Sequence, residues 1–416
     1  MIRQAERATF DSGDASPLGR VVITGIGAVT PLGHSFDAIA TNLLAGVSGV
    51  RRIDVPLFGP DHVQFAAPVD SIPSPEGVDP ARLSECSRFE RICCAAVAAA
   101  VADGRLAGVD PRRIGVVAGI GAEQLKTWET DYAAGGTRVL GPGIDSPVVH
   151  RIAALVGIDG PAATVGAACA SSGYAIAMAR RWLEMGWVDA CIAGGCDVIT
   201  PSAIAAFHNL RALSRRSDDP ARASRPFDRE RDGFVMGEGG AFFVLERADD
   251  AAARGAKIRA EVAGVGMSSD ACHMVTPSTD SLHASRAMVA AMSDAAIDPD
   301  EVDYVNAHAA GTSVGDAAEA AAIRMALGGR ADRVPVSSTK SMSGHLVSGA
   351  AAFEAVACLA AMDRSAVPPT VNLDEPDEAC RLDHVALVAR RHPVRVALSN
   401  SFGFGGANLC LALRAA

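Results

Sequence analysis

TVGAACASSGYAIAMARRW, from Thr164 to Trp182, is the stretch on which the reading of the whole chain turns. A short run of small and β-branched residues predicts a strand ending near Ala168. An apolar helix with a face through Ala170, Tyr174, Ala177 and Met178 follows at once. Cys169 occupies the bend between them. At a helix N-terminus the unpaired backbone N–H groups and the positive end of the macrodipole favour a thiolate, so the stretch predicts a nucleophilic cysteine. The competing reading is a buried structural thiol, because free cysteine packs as a small hydrophobe. The other nine cysteines fit that second reading, and the rest of the chain decides between the two for Cys169.

The 416 residues are 49% hydrophobic and 21% charged, a balance that allows one large core or two fused units. Ten cysteines with no CxxC pair and no dense framework predict reduced thiols in the cytoplasm. The longest apolar run, Ile92 to Ala102, is too short to span a bilayer, and a start through Arg3, Glu6, Arg7 and Asp11 carries no secretory pattern. A formal net charge of −10 argues against general nucleic-acid binding, which needs a basic face. An acidic partner therefore requires a local basic patch.

Residues 1–18 read as a loose polar tail. RVVITGIGAVTPLG, from Arg20, predicts a strand and a glycine-proline loop, with a helix from about Phe36; it lacks the third glycine of a dinucleotide fingerprint. An alanine-rich helix from Ser87 to Gly104 leads through Val109, Asp110 and Pro111 into the strand IGVVAG. A second one, from Met288 to Ala296, leads through Ile297, Asp298 and Pro299 into VDYVNAH. The strand, bend and helix at Cys169 find a counterpart in VPVSSTKSMSGHLVSGAAAFEAVACLA, with its helix starting near His345. VDACIAGGCDV pairs likewise with VRVALSNSFGFGG. This duplication predicts two similar α/β halves, 19–255 and 256–416, packed on each other. The Arg-, Asp- and Gly-rich stretch from Asn209 to Gly240 reads as a long excursion of the kind that carries function.

Nucleophilic thiol chemistry on a thioester needs an electrostatic or proton-handling partner and donors for an oxyanion. The second half offers both. His308 ends a strand and enters the loop AAGTSVGD, and His345 follows Lys340 and a Ser-Met-Ser-Gly turn. The pseudo-twofold brings loops from both halves toward one centre. SNSFGFGGAN supplies glycines around Phe402 and Phe404, including Gly403 and Gly405, whose backbone can approach a reacting centre closely.

With these residues in place, the chain resembles the β-ketoacyl-acyl carrier protein synthases, the type II elongating enzymes above all, from about Arg20 onward. The resemblance rests on GAACASSG, SRPFDRERDGFVMGEGG, VNAH, SSTKSMSGHL, PPTVNLDEPDEAC and SNSFGFGGAN. It implies a thiolase-like fold with a layered α-β-α-β-α core, a homodimer, and acyl and malonyl thioesters of an acyl carrier protein as substrates. It also implies that Cys169 carries the acyl group, that the N–H groups of Cys169 and Phe404 form the oxyanion hole, and that Phe404 is the gate. The resemblance further implies that His308 and His345 promote decarboxylation, supported by Lys340 and Glu354. No metal or resident cofactor is implied, because the phosphopantetheine arm arrives on the carrier. Carrier docking is expected at Arg211, Arg215, Arg216 and Lys126.

The chain departs from the family pattern at several points. Ala310 stands where a threonine contacts the arm, while Thr312 keeps the second such position. Ala170 and Ser172 replace a threonine and a glycine beside the nucleophile. Ala122 stands where a larger acyl-pocket residue is common, and GPGIDSPVVHRIAALVGIDG is about a turn short. These changes leave a specialised polyketide or polyene ketosynthase as an alternative. A non-condensing chain-length-factor-like subunit is a further one, and Cys169 counts against it. Thiolases and chalcone-type synthases fit less well, since LCLAL around Cys410 lacks a glycine-rich setting and His345 gives the chain a second histidine.

Overall fold

In the computed structural model, which describes residues 19–53, 63–106, 108–121, 125, 129, 131–136 and 148–416, the β-branched and small-residue runs become strands of one mixed sheet. The expected tail, Ala122 and Lys126 lie outside the described residues. The first half contributes β1 (Val21–Val29), β2 (Ile114–Gly119), β3 (Ala162–Val165), β4 (Ala190–Asp197) and β5 (Gly239–Arg247). The second contributes β6 (Ala260–Ser269), β7 (Tyr304–Asn306), β8 (Pro335–Ser337), β9 (Asp383–His384), β10 (Val396–Gly403) and β11 (Ala407–Ala415).

The order across the sheet is β9-β8-β7-β10-β11-β6-β1-β5-β4-β2-β3. β1 and β6 meet antiparallel through only Val22↔Glu261 and Ile23↔Ala260. On each side of that seam the same polarity recurs. β5 is antiparallel to both β1 and β4, with β2 and β3 parallel beyond them. β11 is antiparallel to β6 and β10, with β7 and β8 parallel beyond. Parallel neighbours require crossovers, and the helices supply them.

Of the helices, α1 (Phe36–Leu44) begins at Ser35, whose side chain accepts from the Ala38 N–H. α2 (Arg88–Gly104) begins with a capping box of Ser87 and Glu90 and covers β1, β4 and β5. α3 (Ser171–Glu184) and α7 (Ala350–Arg364) pack on each other and touch strands of both halves, forming the central layer. α4 (Pro201–Asn209) stands over the site, and α5 (Leu282–Asp294) with α6 (Ser313–Leu327) closes the far face. Helix, one half of the sheet, central helices, the other half of the sheet and helices thus alternate. AAAFEAVACLAA in α7 is buried on every side, as a helix apolar all round must be.

Several boundaries differ from expectation. β3 ends at Val165, three residues before Ala168. The buried side of α3 runs through Ser172, Ala175, Ile176, Ala179 and Leu183, whereas Tyr174, Ala177 and Met178 are half-buried. α5 starts at Leu282, six residues before Met288, because Ser281 opens it in the left-handed region (φ 57°) without a side-chain cap. His345 does not open a helix: it lies between a single helical turn at Lys340–Ser343 and α7, which begins five residues on.

Ser172, one of the departures beside the nucleophile, ties the two central helices together. Its fully buried hydroxyl accepts the Ala352 N–H at 3.0 Å, satisfying a donor in the first turn of α7, where no residue of that helix caps it. Ser172→Ala strands that N–H and is expected to lower the unfolding free energy by about 1–3 kcal/mol. Urea denaturation measures the loss.

Candidate active site

The nucleophile turn is held by a hydroxyl. Ala168 sits at φ 47°, a conformation that costs an L-residue about 1–2 kcal/mol. Ser171 compensates: its Oγ accepts the Ala167 N–H at 2.9 Å and donates to the Ala168 carbonyl at 2.6 Å. This fixes Cys169 at the head of α3, 6% exposed.

Across from it runs the Phe402–Gly406 loop. A Cβ at Gly403 would lie 2.5 Å from the Ala167 carbonyl oxygen, so only glycine lets this backbone approach so closely. The approach places the Phe404 N–H as a donor to the Cys169 sulfur. Gly405 takes another part: its N–H donates to the Met274 carbonyl at 2.8 Å, and it does not line the cavity.

The expected resting thiolate is corrected by burial. Desolvation pushes the Cys169 thiol up to about 12, outweighing the Lys340 charge and the Phe404 N–H, which pull the other way. The thiol therefore rests protonated.

His308 and His345 stand edge to face with ring centroids 5.3 Å apart. Lys340 Nζ lies 3.3 Å from His308 Nδ1 and pairs with Glu354; both of these charged side chains are buried. An ammonium only donates, so His308 Nδ1 accepts and its proton sits on Nε2. His345 Nδ1 likewise accepts the Val347 N–H at 3.2 Å, which leaves an Nε2–H there too. Burial first, and then the Lys340 charge, hold both imidazoles well below the usual histidine value; the His345 ring adds to this for His308. Both rings are thus neutral donors at pH 7.

The neutral form persists as pH falls through 6.5, the ordinary histidine value. Malonyl decarboxylation is therefore expected to stay level from about pH 8 to 6.5 and to decline only in more acid solution. A half-loss centred at 6.5 in the pH profile contradicts the assignment.

Glu319 was not anticipated from the sequence. Its carboxylate accepts the His308 N–H at 2.8 Å and the Ala309 N–H at 2.6 Å, and Asn400 Nδ2 donates to it at 3.0 Å. Burial pushes it up to about 7 against these three donors. The signal was present in DAAEAAA, where Asp316 and Glu319 lie three apart on the apolar face of α6, directly after the histidine loop.

Cys169, His308, His345, Phe402, Gly403 and Phe404 line one cavity of about 270 Å³, which continues past Ala310 and Thr312. Phe404 packs edge to face on Phe207 of α4, centroids 6.0 Å apart. Of the expected docking residues, Arg211 and Arg215 are exposed and without an ion-pair partner among the described residues. Arg216 is committed to Glu230 and Asp232, which weakens its candidacy. All ten cysteines are free. Among the described residues no group of His, Cys, Asp and Glu could hold a metal, and no helix is long and apolar enough to cross a membrane.

The profile of the beta-ketoacyl synthase N-terminal domain matches residues 19–251, and that of the C-terminal domain matches 259–374. The chain belongs to the β-ketoacyl synthase family. It is 40% identical to 3-oxoacyl-[acyl-carrier-protein] synthase 2 of Synechocystis sp., covering 95% of this chain and 98% of that one. It is 39% identical to putative polyketide beta-ketoacyl synthase 1 of Streptomyces halstedii, covering 93% and 96%. A beta-ketoacyl synthase from Burkholderia phymatum has the same fold, with a TM-score of 0.88 and 36% identity over 96% of this chain and all of that one. This β-ketoacyl synthase is accordingly an acyltransferase of the condensing type, with a mixed α/β ketosynthase fold.

Proposed function

We propose that this β-ketoacyl synthase extends a carrier-bound acyl chain by two carbons through decarboxylative Claisen condensation at Cys169. The observation that carries the reading is one cavity holding a cysteine at a helix head, two neutral imidazoles and a backbone N–H aimed at the sulfur. Cys169 sulfur attacks the acyl thioester carbonyl, and the arm's sulfur leaves with the proton that the thiol gives up. The N–H groups of Cys169 and Phe404 hold the oxyanion. Malonyl thioester then loses CO2, and the electrons of the broken C–C bond form an enolate whose oxygen accepts from His308 and His345 Nε2–H. The enolate carbon attacks the acyl-Cys169 carbonyl, and collapse expels the Cys169 thiolate, which regains its proton from water, and leaves a β-ketoacyl group on the carrier. Lys340 and Glu354 hold His308 in its donor tautomer, and Phe404 gates the cavity.

Fatty acyl elongation and polyketide assembly use the same steps, and similarity of 40% and 39% to relatives of the two kinds supports both. Ala310 in the arm path favours the specialised reading. The partner is an acidic carrier protein, for which the exposed Arg211 and Arg215 provide positive charge. A homodimer fits the outer edge of β3, where Ala162, Ala163 and Val165 are half-buried at the end of the sheet. Cytoplasmic residence suits the ten free thiols.

Intact-mass spectrometry after incubation with a panel of acyl carrier protein thioesters tests the proposal. The wild type is expected to gain one acyl mass that Cys169→Ala does not, with the preferred chain pointing to the pathway. A folded wild type that accepts no acyl group from any carrier overturns it.

A further inference from the structure

Several contacts place the His345 ring, and a single one chooses its tautomer. The His345 N–H donates to the Val235 carbonyl at 2.7 Å, its carbonyl accepts the Gly237 N–H at 2.9 Å, and Phe234 packs edge to face on the imidazole, centroids 5.3 Å apart. None of these reaches a ring nitrogen. The Val347 N–H does, at 3.2 Å from Nδ1.

Val347 holds that N–H from a strained conformation. Its φ is 46°, a value that a β-branched residue adopts only when its surroundings impose it. The Gly349 N–H closes a turn onto the Leu346 carbonyl at 2.9 Å, but turns of either hand share a bond of this kind. The constraint comes from the other half of the molecule. Asp197, the last residue of β4, accepts the Ser348 N–H on Oδ2 at 3.2 Å. The same oxygen lies 2.8 Å from Ser348 Oγ, whose second acceptor is the Cys196 carbonyl at 2.9 Å. Asp197 Oδ1 accepts the Val198 N–H at 2.9 Å, which fixes the carboxylate on the strand end. Both Asp197 and Ser348 are buried. A Cβ at Gly349 would lie 2.6 Å from the Gly239 carbonyl oxygen of β5, so the turn presses on the first half at the next residue too.

Two peptides thus meet at the Val347 Cα. One presents its N–H to His345 and the other to Asp197, and the backbone angles of Val347 set their relative direction. Freed from Asp197, Val347 relaxes to a negative φ, and the N–H that faces Nδ1 turns away.

We propose that Asp197 is a positioning residue for His345: through Ser348 it holds the strained Val347, whose N–H keeps the imidazole in its Nε2–H donor form. The inference rests on the carrier-thioester reading above, in which that donor stabilises the enolate. It follows that Asp197 supports decarboxylation and not the reactivity of the sulfur. Burial chiefly raises the Cys169 thiol and the Asp197 charge adds to it, so removing the carboxylate leaves the sulfur no slower.

The test is a cycle in full-length protein of wild type, Asp197→Ala, Val347→Gly and the double variant. Glycine takes a positive φ without strain, so the turn in Val347→Gly needs no anchor. In the wild-type background Asp197→Ala is expected to lower kcat for malonyl decarboxylation about tenfold with KM within about twofold, and in the Val347→Gly background to cost less than about twofold. Cys169 alkylation by iodoacetamide is no slower in any variant. Asp197→Asn keeps a tether, because its amide can donate to Ser348 Oγ, and is expected to cost about threefold with the same rescue by glycine; it replaces Asp197→Ala if that variant does not fold. Equal costs in the two backgrounds, or alkylation that falls in step with decarboxylation, overturn the inference. The 15N resonances of His345 report the tautomer with no substrate present: Nε2–H is expected in wild type and a mixture in Asp197→Ala, and an unchanged tautomer overturns the inference. A wild type that accepts no acyl group and releases no CO2 overturns the function, while the 15N resonances still decide the role of Asp197.

Discussion

Cys169→Ala is expected to abolish acyl transfer and condensation, by at least about 10³-fold, while malonyl decarboxylation continues. The asymmetry follows from what the sulfur does and does not touch. Acyl transfer requires a covalent thioester, and no neighbouring side chain can replace the nucleophile. Decarboxylation requires donors for an enolate oxygen, and these are His308 and His345, whose Nδ1 atoms are held by Lys340 and the Val347 N–H without any contribution from the sulfur. The variant should also fold. Losing one buried sulfur opens only a small void, at a cost of about 1–2 kcal/mol, and the Ser171 hydrogen bonds that hold the turn remain. Measuring CO2 release from malonyl carrier protein beside product formation separates the two steps. Loss of both activities in a folded variant contradicts the division of roles.

Much of this arrangement was readable before any coordinates because it is local or repeated. The β-branched run at Val21, the Ser87 capping box and the Asp-Pro turns at Asp110 and Asp298 are short-range signals. The duplication placed His308 just past a strand end, whereas His345 lies eight residues beyond β8. What escaped depends on contacts between residues far apart in sequence. Glu319 acquires its place only when α6 folds back over the His308 loop and meets Asn400, 81 residues on. Arg231 lies in an excursion with no local pattern that announces burial, yet three backbone carbonyls and the Asp377 carboxylate surround it. Cys169 misled for a related reason: the helix dipole is visible in the sequence, whereas desolvation by the packed strand ends and the Phe402–Gly406 loop is not, and desolvation is the larger effect. The start of α5 escaped because Ser281 lacks a cap bond, so no local pattern announces it.

Lys340→Met is expected to damage stability and activity by separable routes. Lys340 and Glu354 are 2% and 1% exposed at their side chains, and Glu354 Oε2 has no hydrogen-bond partner among the described residues. Removing the ammonium leaves a buried carboxylate unpaired, a change that costs about 3–5 kcal/mol. The carboxyl can escape part of this cost by keeping its proton. Burial already pushes Glu354 up to about 7 with Lys340 pulling against it, so without Lys340 it moves higher.

A carboxyl raised in the folded state favours folding fully below its unfolded value of 4.5, and that contribution is lost as pH rises through the raised value. The instability of Lys340→Met should therefore grow from about pH 7 upward. Adding Glu354→Gln removes the ionisable group and should restore most of the stability lost at high pH. Activity should not return with it. His308 Nδ1 still lacks its donor, so the ring divides between tautomers and the Nε2–H is no longer assured. Decarboxylation is expected to stay about 10²-fold below wild type in both the single and the double variant. Urea denaturation across the pH range, paired with CO2 release, distinguishes these routes. If the double variant regains decarboxylation together with stability, Lys340 acts only as a counter-ion to Glu354, and the tautomer assignment for His308 fails.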